Sequence, residues 1–91
     1  MKGTEKQIAW AEEIKKAWIQ QTKHWIDSIM ARKTAGDVMP EGYYQYAEEI
    51  ADVWLRKLDL LDDAKLIINK RNVPGPALTL RERTLKKFGS N

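Results

Sequence analysis

One helical period runs unbroken from Thr4 to about Arg32, and it constrains this 91-residue chain more than any other feature. Ile8, Ala11, Ile14, Trp18, Trp25 and Ile29 recur at spacings of three, four and seven. At about 100° per residue they fall within a stripe about 120° wide, with Thr22 at its one polar step. Ile19, Ile26 and Met30 widen the stripe on one side, Trp10 and Ala17 on the other. Glu12, Glu13, Lys16, Lys23 and Asp27 gather on the opposite face, where Glu12 and Lys16 make a favourable i,i+4 pair. Thr4 and Gln7 read as a capping box, and Glu5 suits the first turn of the helix dipole. A helix over about 5–32 is roughly 42 Å long. A compact chain of this length has a diameter of roughly 30 Å. The helix therefore breaks, or the molecule is elongated, or a partner covers an overhang. Gln20-Gln21-Thr22 is the weakest stretch if it breaks.

The segment Lys33-Thr34-Ala35-Gly36-Asp37-Val38-Met39-Pro40 reads as a loop. Gly36 is placed to close the first helix and Pro40 to open the next. A second helix over about 41–58 carries Tyr43, Ala47, Ile50, Trp54, Leu58 and Leu61 in alternating steps of four and three. The stretch from Leu58 to Asp63 fits either continuation or a break. A break at an Asp59 cap is favoured, because it puts acids at a new N-terminus and Lys70-Arg71 at its C-terminus. The third helix then spans about 60–71, burying Leu60, Leu61, Ala64, Ile67 and Ile68. Asn72-Val73-Pro74-Gly75-Pro76 stops it. Thr79 and Glu82 read as a second capping box for a short helix over about 80–88. The expected fold is all-α: a small bundle of three main helices plus a short C-terminal one. Residues 1–76 form the bundle and 77–91 a basic C-terminal segment of the same single domain.

The composition narrows the chemistry. With no cysteine there is no disulfide framework, thiolate metal site or cysteine nucleophile. His24 is the one histidine and falls on the polar side of its helix, without the further ligands a metal site needs. It could reach Ser28 one turn away, but no glycine elbow supports a nucleophile there. The pairs Glu12-Glu13, Glu48-Glu49 and Asp62-Asp63 point about 100° apart on a helix and so do not share a site. No glycine pattern cradles a phosphate. These readings exclude the usual catalytic arrangements and predict a non-enzymatic protein with no cofactor and no metal. There is no apolar run of about 18 residues, so no membrane span is expected. The amphipathic start after Met1-Lys2-Gly3 does not resemble a secretory signal, and a cytoplasmic setting is the expectation.

Charge is unevenly placed. Ten basic side chains face twelve acidic ones up to residue 68, whereas six face one from residue 69 on. Lys70, Arg71, Arg81, Arg83, Lys86 and Lys87 make that end a basic segment on a near-neutral body. Among the aromatics, Trp18, Trp25, Tyr43 and Trp54 sit on core stripes. Trp10 lies about 80° from Trp18 at the stripe's edge, and Tyr44 lies beside its stripe. Either is a core residue in a broad stripe or an interface anchor.

The segment Thr4-Glu5-Lys6-Gln7-Ile8-Ala9-Trp10-Ala11-Glu12-Glu13-Ile14, extended by Gly3, resembles the opening of a group of small uncharacterised proteins of bacteria, phages and mobile elements. That opening reads G-[ST]-E-K-Q-I-x-W-A-x-x-I. A later segment of the group, D-A-K-W-W-I-x-x-R, is similar to Asp63-Ala64-Lys65-Leu66-Ile67-Ile68-Asn69-Lys70-Arg71, with Leu66 and Ile67 at its two aromatic positions. The matches cover about 20 residues. The resemblance implies a helical fold and a phage or mobile-element setting, where small proteins often bind and redirect a host protein, defence enzymes included.

The sequence thus yields one expectation and two rivals. The expectation is a protein-binding accessory factor that meets a host protein through Trp10, Tyr44, Arg71, Arg81, Arg83, Lys86 and Lys87. The first rival is nucleic-acid binding by the basic segment, with steep salt dependence. The second is a homodimer packed along the over-long first helix.

Overall fold

Thr4 caps the first helix as its sequence predicts. In the computed structural model, which describes residues 1–71 and 75–88, the Thr4 hydroxyl accepts from Gln7 N–H at 3.2 Å. The Gln7 side-chain oxygen accepts from Thr4 N–H at 3.1 Å. Helix α1 then runs from Glu5 to Thr34 without a break. Thr22 does not weaken it, because its hydroxyl donates to the Trp18 carbonyl at 2.9 Å and the side chain is fully buried. Gly36, at φ +88°, closes the helix. Its N–H donates to Lys33 O at 3.1 Å, and Asp37 N–H donates to Arg32 O at 3.0 Å, the paired bonds of a Schellman motif.

Thirty helical residues are about 45 Å long, and the molecule's longest extent is 48 Å. Its radius of gyration of 15.1 Å exceeds the roughly 12 Å of a compact domain. The molecule is elongated, and α1 is its spine.

Helix α2, Tyr43–Leu60, folds back along the C-terminal half of α1. It opens at Gly42, two residues beyond the expected Pro40, whose carbonyl instead accepts from Tyr43 N–H in the preceding turn. Its stripe is buried as expected at Tyr43, Ala47 and Leu58, with Ala51 also inside. Lys15, on α1, donates from Nζ to the carbonyls of Asp59 and Leu61, both at 3.0 Å. A cation on otherwise unpaired terminal carbonyls favours ending the helix there.

Helix α3 is the main correction to the expected fold. It spans only Ala64–Asn69, and its cap is Asp63, whose carboxylate accepts from Leu66 N–H at 3.3 Å. Asp59 stays inside α2, and Leu60, expected in the core, is 79% exposed. The two aspartates are equivalent caps by local chemistry. Tertiary contacts choose between them: Lys15 holds the end of α2, and Lys2 pairs with the backbone beside Asp63. Lys2 N–H donates to Asp62 O and Ala64 N–H to Lys2 O, both at 2.8 Å.

Helix α4, Pro76–Phe88, starts earlier than expected. Proline suits the first helical position, so Thr79 lies inside the helix and donates to Gly75 O at 3.2 Å rather than capping. Residues 72–74 and 89–91, which include part of the expected stop, lie outside the described residues.

Two separate cores result. Ala11, Ala64 and Ile67 pack the N-terminal half of α1 against α3, with Ile8, Ile14 and Trp18 at their edge. Trp25, Ile29, Tyr43, Ala47, Ala51 and Leu80 join the other half of α1 to α2 and α4. Among the described residues each half of the spine thus carries a core built within one chain.

The first core depends on close approach at Gly3. Its φ of +139° is one that L side chains rarely adopt, and a Cβ there would lie 2.9 Å from Ala64 Cβ. Gly3→Ala is expected to lower unfolding stability in urea by about 1–3 kcal/mol. A loss under about 0.5 kcal/mol would mean that residues 1–3 contribute little to docking α3.

Candidate functional site

The first turns of α1 and the turn that follows α3 bring together two residues that lie far apart in the chain. The Arg71 guanidinium carbon stands 4.8 Å from the centroid of the Trp10 ring. Arg71 Nη1 donates to the Ile68 carbonyl at 2.8 Å, so the cation is held from both sides. Trp10 remains 47% exposed. An indole that is half in solvent, with one face under a fixed cation, has lost much of its rotamer freedom before any partner arrives. Leu66, 42% exposed on α3, is a further uncovered apolar side chain on this half of the molecule.

The other candidate residues lie elsewhere. Tyr44 is half-buried, stacks edge-on against Tyr43 at 5.5 Å and donates its hydroxyl to Asp37 O at 2.8 Å. Its pKa is raised by desolvation and by the Asp37 charge, which keeps the proton available for that bond. Its polar group is thus occupied in tying the loop to α2.

The basic residues of α4 do not form one stripe. At about 100° per residue, Arg83, Lys86 and Lys87 fall within an arc of about 100°, and Arg81 lies more than about 100° outside it. Arg83 lies 5.6 Å from the Trp54 ring centroid and Lys87 Nζ 4.9 Å from that of Tyr46, so both cations rest on α2. Trp54 Nε1 is buried without a hydrogen-bond partner among the described residues, and Arg83, itself a donor, cannot supply one. Lys86 is exposed. Arg81 turns to the other flank, where it lines a groove with Trp25, Ser28 and Ile29. Trp25 is 15 residues beyond Trp10 on a continuous helix, or about 22 Å. The seven candidate residues are therefore not one site. Trp10 and Arg71 form a patch, Arg81 belongs to a groove at the far end, and the rest pack on α2 or face solvent.

No protein-family model, curated protein or solved structure matches this chain. What the structure adds to the resemblance is spatial. Gly3 meets Ala64, Lys2 pairs beside Asp63, and Trp10 lies under Arg71. The segments 3–14 and 63–71 are therefore the two sides of one packing unit.

Among the described residues no group of three His, Cys, Asp or Glu side chains is placed to hold a metal ion. No helix among them is long and apolar enough to cross a membrane.

Sequence reasoning missed Lys15, Leu66 and Arg32. Lys15 carries no local signal, Arg32 marks only the end of the first helical period, and Leu66 stands only at an aromatic position of the resemblance. Only the packing of α2, α3 and α4 gives them neighbours or leaves them bare.

Proposed function

We propose that the protein is a non-enzymatic binding factor that engages another protein through the Trp10–Arg71 patch. One observation carries this reading: a half-exposed tryptophan held in place by an arginine that is itself hydrogen-bonded to the helix end. Tryptophan and arginine are the side chains that most often dominate binding energy at protein interfaces, and a prepositioned pair loses little entropy on docking. The N-terminal resemblance supplies the setting. A phage or mobile element would use such a factor to inhibit or redirect a host protein, with a defence enzyme one class of target, in the cytoplasm.

Nucleic-acid binding by the basic C-terminal segment draws less support. Arg83 and Lys87 lie against aromatic rings of the same chain, and Arg81 lies on a different face of α4 from the other three cations.

The test is a tagged pull-down from host lysate, with and without nuclease, read by mass spectrometry, with Trp10→Ala bait in parallel. A stoichiometric protein that survives nuclease and disappears with Trp10→Ala is the expected result. Recovery of nucleic acid alone, lost after nuclease, would make the protein-binding reading wrong.

A further inference from the structure

We propose that the groove between the C-terminal turns of α1 and α4 is a binding site for a small amphiphilic anion, an apolar chain or ring that carries one carboxylate. The proposal is independent of the Trp10–Arg71 reading, since the two regions lie about 22 Å apart along α1.

The groove encloses about 470 Å³, a size usual for small-ligand sites. Its apolar walls include Trp25, Ile29 and Phe88, and Leu85 stands at the rim, 56% exposed. Such exposure leaves apolar surface for a ligand to cover.

The polar part of the lining has one sign. Arg32 and Arg81 both line the groove, from α1 and α4, and among the described residues no aspartate or glutamate lines it. Among the described residues neither arginine is engaged in a salt bridge. Asp37 on the neighbouring loop, whose charge acts on Tyr44 as does that of Arg32, does not line the groove, and neither do Glu41 and Glu82, the chain neighbours of Pro40 and Arg81. The Thr84 hydroxyl is already committed to Leu80 O at 2.8 Å. Two guanidinium groups beside an apolar wall match a ligand with an apolar body and one planar anion, because guanidinium and carboxylate can pair through two parallel hydrogen bonds. An uncharged apolar ligand would bury the same surface but leave both cations unmatched.

The probe is octanoate, compared with 1-octanol, followed by ¹H–¹⁵N NMR on the full chain. Octanoate is expected to saturate one site with a Kd of about 1 mM or tighter. The shifts should centre on Arg32, Met39, Tyr43 and Leu85. Octanol should bind at least about tenfold more weakly. The double variant Arg32→Gln/Arg81→Gln should weaken octanoate about tenfold or more while leaving octanol unchanged. Arg32→Lys/Arg81→Lys, which keeps the charge and loses the fork, should fall between. Equal binding of octanol and octanoate by the wild-type protein would overturn the proposal whether or not the variants fold. So would shifts that spread over the surface without saturating.

Discussion

Ile67→Ala is expected to lower the unfolding free energy by about 2–4 kcal/mol. Ile67 is fully buried and, among the described residues, is the one large side chain wholly inside the core that α1 and α3 share; its buried neighbours there are Ala11 and Ala64. Helix α3 has six residues, too few to be stable alone. It persists because Ile67 anchors it, and truncation leaves a cavity between two alanines that cannot fill it. For a chain of this length the loss corresponds to a drop of more than about 10 °C in Tm. Leu66→Ala, one residue along but 42% exposed, is the control and should cost under about 1 kcal/mol. Circular dichroism melts of the two variants decide it: equal losses would mean that α3 is not held by its buried face. Hydrogen exchange should show early opening at Ala64–Asn69 in Ile67→Ala, while Trp25 and Leu80, in the other core, keep their protection.

Trp10→Ala is expected to weaken the captured protein partner by at least about 2 kcal/mol, or roughly 30-fold in Kd. The same change should cost the fold far less than Ile67→Ala, because Trp10 is half in solvent. Arg71→Gln should weaken binding by a smaller factor, since it releases the indole without removing it. A cation over an exposed ring contributes about 0.5–1 kcal/mol. Raising salt should matter little, in contrast with a phosphate-binding surface. Calorimetry with the purified partner gives all three values. A Trp10→Ala protein that binds within twofold of wild type would place the interface elsewhere.

Much of the architecture is written locally. The period from Ile8 to Ile29, the Thr4–Gln7 box and the Gly36 closure each depend on neighbours a few residues away, and each forms as expected. The α2 stripe is equally local. The start of α3 was not legible, because Asp59 and Asp63 are interchangeable as caps until Lys15 and Lys2 arrive from more than 40 residues earlier. The start of α4 was decided by which of two local signals won, proline at the first helical position over the Thr79–Glu82 pair.

The candidate site divides in the same way. The edge position of Trp10 on its stripe is a property of the helical period alone, but it fits a core residue as well as an interface anchor, and its half-exposure came only with the structure. The sequence by itself also determines the all-α class and the excess of cations after residue 68, since composition and periodicity act without regard to the rest of the chain, whereas the unbroken run of the spine from Glu5 to Thr34 came only with the structure. Only the tertiary structure decided that Arg71 rests on Trp10, that Arg83 and Lys87 rest on α2, and that Arg81 joins Arg32 at a groove. The physical reason is that a side chain's partner across the fold depends on how helices pack. A helical period names the face that must be covered, whereas the packed neighbour determines what covers it and what remains bare.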